Sequence, residues 1–91
     1  MIHMERVFKN ICITGAGNGI GRAIAIAMGK EGYNVVCADI DLNQANETLE
    51  IVLDNNGNGL SIEIDVTKSA DIKKMVKDTV VKYGSLDILV N

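Results

Sequence analysis

The sequence predicts an α/β fold in which a parallel sheet is built from alternating strands and helices, in the order β-α-β-α-β-α-β. Short apolar runs rich in β-branched residues recur along the chain, and segments with helical periodicity separate them. Strands joined through helices pair in parallel, with right-handed crossovers. The chain has 91 residues, 47% of them hydrophobic, and contains no proline or linker segment. We therefore expect one small domain over residues 1–91.

The four predicted strands are short and apolar. NICIT (10–14) and NVVCAD (34–39) have the composition of buried strands. LSIEID (60–65) alternates apolar and polar residues, which is typical of an edge strand with one open face. LDILV (86–90) is predicted to be the fourth strand, and NNGNG (55–59) is predicted to end the helix before the third.

Three amphipathic helices are predicted between the strands. The first ends at Gly32, the second is capped by Asp41 with Gln44 at the capping-box position, and the third is capped by Thr67 and ends at Gly84. Each helix has a predicted buried stripe. These stripes are Ile20, Ala23, Ile24, Ala27 and Met28 in the first helix, Leu42, Ala45, Leu49, Val52 and Leu53 in the second, and Ile72, Met75, Val76, Thr79, Val80 and Tyr83 in the third.

Four glycines lie in the turn between the first strand and the first helix, in the segment TGAGNGIG (14–21). A helix N-terminus offers unpaired N–H groups and the positive end of a dipole, and glycine lets a phosphate approach the backbone. The P-loop and GxGxxG spacings counted from Gly15 both fail, because each requires glycine at Ile20. The spacing that fits is Thr14-Gly15-x3-Gly19-Ile20-Gly21.

This spacing resembles the TGxxxGxG motif of the short-chain dehydrogenase/reductase family, and three further landmarks agree in chain order. Asp39 ends the second strand 18 residues after Gly21, close to the offset of about 20 expected for the acid that binds a ribose. Asp65 and Val66 end the third strand, as the family's adenine-contacting Asp-Val pair does. LDILVN (86–91) is similar to the family's fourth strand where it runs into an Asn-Asn-Ala-Gly motif.

The resemblance implies a three-layer Rossmann-type parallel sheet, incomplete, with four strands in the order 3-2-1-4. It also implies the NAD-binding portion of an oxidoreductase that interconverts an alcohol and a carbonyl by hydride transfer. The implied cofactor-binding residues are Gly15, Asn18, Gly19, Ile20, Gly21, Asp39, Ile40, Asp65, Val66 and Asn91.

The resemblance carries no catalytic residue into this sequence. The family's catalytic Asn, Ser and Tyr-x3-Lys follow its fourth strand. Tyr33 is followed at the fourth position by Cys37, and Tyr83 by Asp87, so neither tyrosine provides the Tyr-x3-Lys pair. We therefore expect this chain by itself to be inactive.

NAD is favoured over NADP as the cofactor. A carboxylate at Asp39 would accept hydrogen bonds from ribose hydroxyls and repel a 2′-phosphate. NADP-binding relatives usually carry a basic residue at that place or just before the second motif glycine, whereas this chain has Ile40 and Asn18. Arg22, the nearest cation, is expected to point to solvent.

Two other functions remain open as alternatives. One is a non-catalytic nucleotide-binding or assembly module that keeps the fold. The other is a fragment of an S-adenosylmethionine-dependent methyltransferase, because Gly15, Gly17 and Gly19 also match GxGxG. Such sites usually carry an acid just before the first glycine, where this chain has Thr14 preceded by apolar residues.

The charge and the apolar pattern of the sequence argue against nucleic acid, membranes and metal ions as partners. The net charge of −3 argues against nucleic acid and anionic membranes, and no apolar run is long enough for a membrane span. The N-terminal ten residues contain no apolar core of signal-peptide type, so a cytoplasmic location is expected. Cys12 and Cys37 are expected to be buried free thiols in neighbouring strands, and with His3 as the single histidine no metal site is predicted.

The fourth strand predicts self-association. It is apolar except for Asp87, and an unpaired strand edge is a template for another chain. Helices one and two are expected on one side of the sheet and helix three alone on the other. Near helix three, the side chains expected to stay partly uncovered are Ile11, Ile13, Ile88 and Val90. Association is expected through strand 86–90 or this uncovered face.

Overall fold

The computed structural model describes residues 9–91 and has three layers, with helices on both faces of a parallel sheet. The strand order is β3-β2-β1-β4, which confirms the predicted order 3-2-1-4. The N-terminal segment, in which no signal-peptide core is predicted, lies mostly outside the described residues. The elements are β1 (Asn10–Thr14), α1 (Gly19–Lys30), β2 (Asn34–Asp39), α2 (Leu42–Asp54), β3 (Asn58–Glu63), α3 (Ser69–Tyr83) and β4 (Ile88–Val90).

The two faces of the sheet hold two separate apolar clusters, and the helices divide between them as predicted. Strand residues in register share a face, because side chains alternate along each strand. The α1/α2 face buries Ile11, Ile13, Ala16, Ala25, Val35, Cys37, Ala45 and Val52. The α3 face buries Cys12, Val36, Ala38, Ile62, Ile64 and Met75.

The prediction that Ile11 and Ile13 stay uncovered beside α3 is wrong. Their side chains are 1% and 0% exposed and pack in the cluster of the opposite face, which α1 and α2 cover. Ile88 and Val90 pair with them in register and are half-buried on that same face. Leu89 pairs with Cys12, which lies on the α3 face, and is 44% exposed. The exposed apolar side chain of β4 is therefore Leu89, which lies on the α3 face.

The first two strands have the predicted bounds, but β3 and β4 differ. β3 starts two residues earlier than predicted, within the NNGNG segment, because Asn58 and Gly59 pair with Asn34 and Val35 of β2. A Cβ at Gly59 would lie 2.1 Å from the Val35 carbonyl oxygen, so this pairing requires glycine. β4 is shorter than predicted, although the N–H of Asp87 still donates to the Asn10 carbonyl at 3.0 Å.

The caps of α2 and α3 follow the prediction only in part. Asp41 caps α2 by accepting a hydrogen bond from the Gln44 N–H at 3.2 Å, as predicted. Thr67 does not cap α3, which begins two residues later. Its hydroxyl instead donates to Asp65 Oδ1 at 2.6 Å. Gly84 ends α3 with φ 91°, the left-handed conformation expected of a terminal glycine.

The buried faces of α1 and α2 are displaced from the predicted stripes. In α1, Ala25 and Gly29 are buried whereas Ile20, Ala23 and Ala27 are exposed. This face is built of small residues because α1 packs closely: a Cβ at Gly29 would lie 2.9 Å from Val52 Cγ1. In α2 the predicted residues that are exposed are Leu42 and Leu53, and the buried residue that was not predicted is Thr48.

In α3 the stripe is closer to the prediction. Met75 and Thr79 are fully buried, Ile72, Val76 and Tyr83 are partly buried, and Val80 is exposed. Thr79 is tolerated in the core because its hydroxyl donates to the Met75 carbonyl at 2.7 Å and lies 3.1 Å from Cys12 Sγ.

Both cysteines are buried and free, as predicted, and they face opposite sides of the sheet. Burial raises the pKa of both thiols. For Cys37 the value rises to about 12, and for Cys12 a hydrogen bond with Thr79 partly offsets the rise. The nucleophilic thiolate is therefore scarce at neutral pH.

We expect native Cys12 and Cys37 to react with a thiol reagent at pH 8 at least about a hundredfold more slowly than the unfolded chain. Burial raises the pKa of Cys37 in the folded chain to about 12, above the value of 9.0 for a free thiol. The free energy of unfolding therefore does not depend on this thiol below pH 9, and it falls as the pH rises from 9 toward about 12. Stopped-flow labelling with and without denaturant measures the first effect, and urea unfolding at alkaline pH measures the second. Rapid labelling of both thiols in the folded chain would contradict this expectation.

Candidate functional site

The carboxyl ends of β1, β2 and β3 border a pocket of about 300 Å³. In open α/β sheets ligands bind at this edge, where the loops leave the strands. The pocket is lined by Gly15, Asp39, Ile40, Ile64, Asp65, Val66 and Thr67. All but two of these residues, Ile64 and Thr67, were predicted as cofactor-binding residues from the sequence.

Ile64 and Thr67 were missed as site residues for different reasons. Ile64 is 2% exposed, and its N–H donates to the Asp39 carbonyl at 3.0 Å, which fixes the floor of the pocket. The alternation in LSIEID marked it as a buried residue but not as a site residue. Thr67 was interpreted as a helix cap, whereas the structure places it at the pocket wall beside Asp65.

The other predicted residues lie around the same sheet edge but do not line the pocket. Asn18, Gly19, Ile20 and Gly21 form the start of α1. Asn91 follows β4, and its Oδ1 accepts a hydrogen bond from Thr14 Oγ1 at 2.8 Å. The Thr14 hydroxyl thus connects the ends of β1 and β4.

Gly15 and Gly19 shape the turn after β1. Their φ angles are 65° and 56°, in the left-handed region that side chains rarely adopt. A Cβ built on either residue meets nothing within 4 Å. Both glycines therefore face open space, where a ligand could approach the backbone closely.

Gly17 and Gly21 are required by packing inside the protein. A Cβ at Gly21 would lie 2.1 Å from the Gly15 carbonyl oxygen, and one at Gly17 would lie 2.7 Å from Asp39 Oδ2. Real Cβ atoms do not approach other atoms so closely. The four glycines therefore divide into two that face open space, Gly15 and Gly19, and two that are required by close packing, Gly17 and Gly21.

The N-terminus of α1 points its first N–H groups away from the helix body. The first i→i−4 bond within α1 is donated by the Arg22 N–H to the Asn18 carbonyl at 3.2 Å, so the three N–H groups before it precede the helical ladder. The Asn18 side chain accepts no capping hydrogen bond from them, and its Nδ2 donates to Gln44 Oε1 at 2.9 Å. This arrangement can bind an anion.

Asp39 is fixed by the glycine turn. Its Oδ2 accepts from the Gly17 N–H at 2.8 Å, and its Oδ1 accepts from the Asp41 N–H at 2.9 Å. A carboxylate has about four acceptor positions, so each oxygen retains one for a further donor. The carboxylate can therefore accept hydrogen bonds from two ligand hydroxyl groups.

Asp65 carries a second fixed carboxylate at the pocket. Its Oδ1 accepts from the Thr67 hydroxyl at 2.6 Å and from the Thr67 N–H at 2.9 Å. These two hydrogen bonds lower the pKa of Asp65, because both stabilise the charged form. The side chain therefore remains an acceptor even in mildly acidic solution.

The expectation that Arg22 points to solvent is wrong. Its Nε donates to Thr48 Oγ1 at 2.9 Å, and its Nη2 lies 3.4 Å from the Gln44 carbonyl and 3.2 Å from Glu47 Oε2. The guanidinium group is thus held against α2, away from the pocket lining.

Residues 9–91 contain neither a metal-binding cluster nor a membrane-spanning helix. No cluster of three or more His, Cys, Asp and Glu side chains there could hold a metal ion. None of the three helices in that range has the length and apolar character needed to cross a membrane.

Comparisons with known proteins place this geometry in one family. The sequence profile described as short chain dehydrogenase matches residues 9–91. The chain is similar to glucose 1-dehydrogenase 2 of Bacillus subtilis, with 42% identity over 84 residues that cover 91% of this chain and 33% of that protein.

Solved structures of dehydrogenases have the same fold over most of this chain. A hydroxysteroid dehydrogenase from Escherichia coli matches with a TM-score of 0.89 at 35% identity, covering 91% of this chain and 35% of that one. A 7α-hydroxysteroid dehydrogenase complexed with NADH and 7-oxo glycochenodeoxycholic acid matches with a TM-score of 0.88 at 35% identity, covering 91% of this chain and 32% of that one. The chain therefore spans about a third of the length of these relatives.

Proposed function

This chain belongs to the short-chain dehydrogenase family, and on that basis we propose that it is the NAD-binding portion of an oxidoreductase that interconverts an alcohol and a carbonyl. The observation that carries the proposal is the pocket at the ends of β1, β2 and β3, which brings Gly15, Asp39 and Asp65 together. One relative of known structure binds NADH. The proposed cofactor-binding residues are Gly15, Asn18, Gly19, Ile20, Gly21, Asp39, Ile40, Asp65, Val66 and Asn91.

The described residues fit a dinucleotide. The open space beside Gly15 and Gly19 accommodates a pyrophosphate close to the backbone, and the first N–H groups of α1 supply donors. Asp39 accepts hydrogen bonds from ribose hydroxyls, and Asp65 accepts from the adenine amino group. Ile40 and Val66, 68% and 55% exposed, offer apolar contact to the base. Bound NAD supplies the hydride acceptor, and this chain binds and orients it.

We propose that NAD is preferred over NADP. A 2′-phosphate would lie near the Asp39 carboxylate, and the like charges would repel. Arg22, which could have compensated, is engaged by Thr48, Gln44 and Glu47.

Isothermal titration of the folded chain tests this function against the two alternatives. We expect saturable binding of NADH, weaker binding of NADPH and no binding of S-adenosylmethionine. Preferential binding of S-adenosylmethionine would support the methyltransferase alternative. A folded chain that binds none of the three would support an assembly module.

We also propose that the chain pairs with a second copy of itself along β4. β4 lies at one end of the described sheet, and its three residues are apolar. Antiparallel pairing about a two-fold axis at Leu89 would place Ile88 opposite Val90, apolar against apolar, in a self-complementary contact.

Sedimentation equilibrium at micromolar concentration is expected to show a dimer of the 9.8 kDa chain. Leu89→Lys should shift the population to monomer, because it places two charges at the two-fold axis. Leu53→Lys is the control: Leu53 is similarly exposed, at 47% against 44%, but lies on α2. A clean folded monomer, or equal effects of the two substitutions, would exclude pairing through β4.

A further inference from the structure

Thr48 is a fully buried polar residue on α2 that the sequence did not single out. Its hydroxyl donates to the Ala16 carbonyl at 2.8 Å and accepts from Arg22 Nε at 2.9 Å. Both hydrogen-bonding functions of the hydroxyl are therefore used. One partner lies in the glycine turn, and the other lies in the first turns of α1.

The hydrogen bond from Thr48 restrains Ala16, the residue between Gly15 and Gly17 in the turn. Ala16 is fully buried between Gly15 and Gly17, and its N–H donates to the Ala38 carbonyl of β2 at 3.0 Å. Its carbonyl is held by Thr48 of α2. Both backbone groups of Ala16 are thus anchored to different elements, while its neighbour Gly15 faces the pocket.

Glycine makes the turn flexible unless other contacts restrain it. An anion site built from backbone N–H groups requires those groups to be pre-oriented, because ordering them on binding costs free energy. From this geometry we infer that Thr48 is a positioning residue for the nucleotide site: through Ala16 and Arg22 it holds the turn at residues 15–19 in its binding shape. This inference rests on the proposed function, since it concerns the same site.

Three variants separate positioning from general stability. Thr48→Val keeps the side-chain shape and removes the hydroxyl, and Thr48→Ser retains the hydroxyl. Thr79→Val is the matched control, because Thr79 is also a fully buried helical threonine, but it bonds to Met75 and contacts Cys12 on the opposite face. All three are compared under conditions in which each is folded.

The first readout uses no ligand. Amide hydrogen exchange, followed by NMR, is expected to accelerate about tenfold in Thr48→Val at Ala16 and Gly17, whose N–H groups donate to the Ala38 carbonyl and to Asp39 Oδ2, since the loss of a buried hydrogen bond is worth about that factor. Amides of β2 away from the turn should keep their rates, Thr48→Ser should resemble the unmodified chain, and Thr79→Val should leave the turn unchanged. Unchanged exchange in the turn of Thr48→Val, or a uniform acceleration over the whole sheet, would overturn the inference.

The second readout uses two probes. Thr48→Val should weaken NADH binding by about fivefold or more and weaken the binding of adenosine, which has no phosphate, clearly less, because Asp39 keeps its hydrogen bond from the Asp41 N–H outside the turn. Equal losses for both probes would overturn the positioning role. If the unmodified chain does not bind NADH, the proposed function fails, and the exchange experiment still decides whether Thr48 holds the turn.

Discussion

Gly21→Ala is expected to destabilise the chain by about 3 kcal/mol or more. The added Cβ would lie 2.1 Å from the Gly15 carbonyl oxygen, a backbone atom that cannot move without displacing the turn from β1. For a domain of this size the loss corresponds to a fall in melting temperature of more than about 10 °C. Thermal unfolding followed by circular dichroism measures it.

Gly29→Ala is the matched control, because it is the same substitution in the same helix. Its Cβ would meet Val52 Cγ1 at 2.9 Å, a side-chain atom that can shift. We expect a clearly smaller loss of stability. Equal melting temperatures for Gly21→Ala and the unmodified chain would mean that the turn does not pack on α1 as described.

Asp39→Asn is expected to weaken NADH binding by roughly 10- to 100-fold, because hydrogen bonds to a charged group contribute about 1.5–3 kcal/mol. It should weaken NADPH binding less, since removal of the carboxylate charge also removes the repulsion of the 2′-phosphate. The ratio of the two affinities should therefore move toward one. Isothermal titration of both nucleotides measures the change.

Asp41→Asn is the control for loss of charge. It removes a carboxylate two residues away and keeps a good helix cap on α2, since asparagine caps as well as aspartate does. We expect little change in either affinity. A comparable loss for both substitutions would show that net charge, and not Asp39, sets the cofactor preference.

The fold could be predicted from the sequence because the apolar runs, the helical periodicity and the positions of the glycines all indicate the same alternation of strands and helices. The alternating apolar runs and periodic segments predicted the correct element order, and the family resemblance carried by the glycine turn and the three later landmarks implied the strand order 3-2-1-4, which the structure has. The predicted start of β3 was wrong because one glycine has two roles. Gly59 was interpreted as a helix stop, yet it also pairs closely with Val35.

The helix faces were harder to predict, because apolar periodicity assumes that large side chains point inward. In α1 the close approach of the helix to its neighbours selects Ala25 and Gly29 for burial and leaves Ile20 exposed. The face on which Ile11 lies was predicted wrongly for a related reason. Alternate residues of β1 face α1 and α3, and which set faces α1 depends on the register of the whole sheet.

The site was partly predictable. Motif spacing identified Gly15, Asp39 and Asp65, which the structure brings to one pocket. The supporting polar contacts could not be read from the sequence, because they join residues that are distant along the chain. Arg22 and Thr48 meet only because α1 packs against α2, and no local pattern marks either residue.

A titration of the ¹⁵N-labelled chain with NADH, followed by NMR, tests directly whether the nucleotide binds at the pocket formed by the ends of β1, β2 and β3. We predict saturable shifts in three groups of amides, at residues 15–21, 39–40 and 65–67, which are the turn after β1 and the ends of β2 and β3. NADPH should give the same pattern at higher concentration. A folded chain whose spectrum does not change at millimolar NADH, or whose shifts cluster away from these three loops, would mean that the nucleotide does not bind at this pocket.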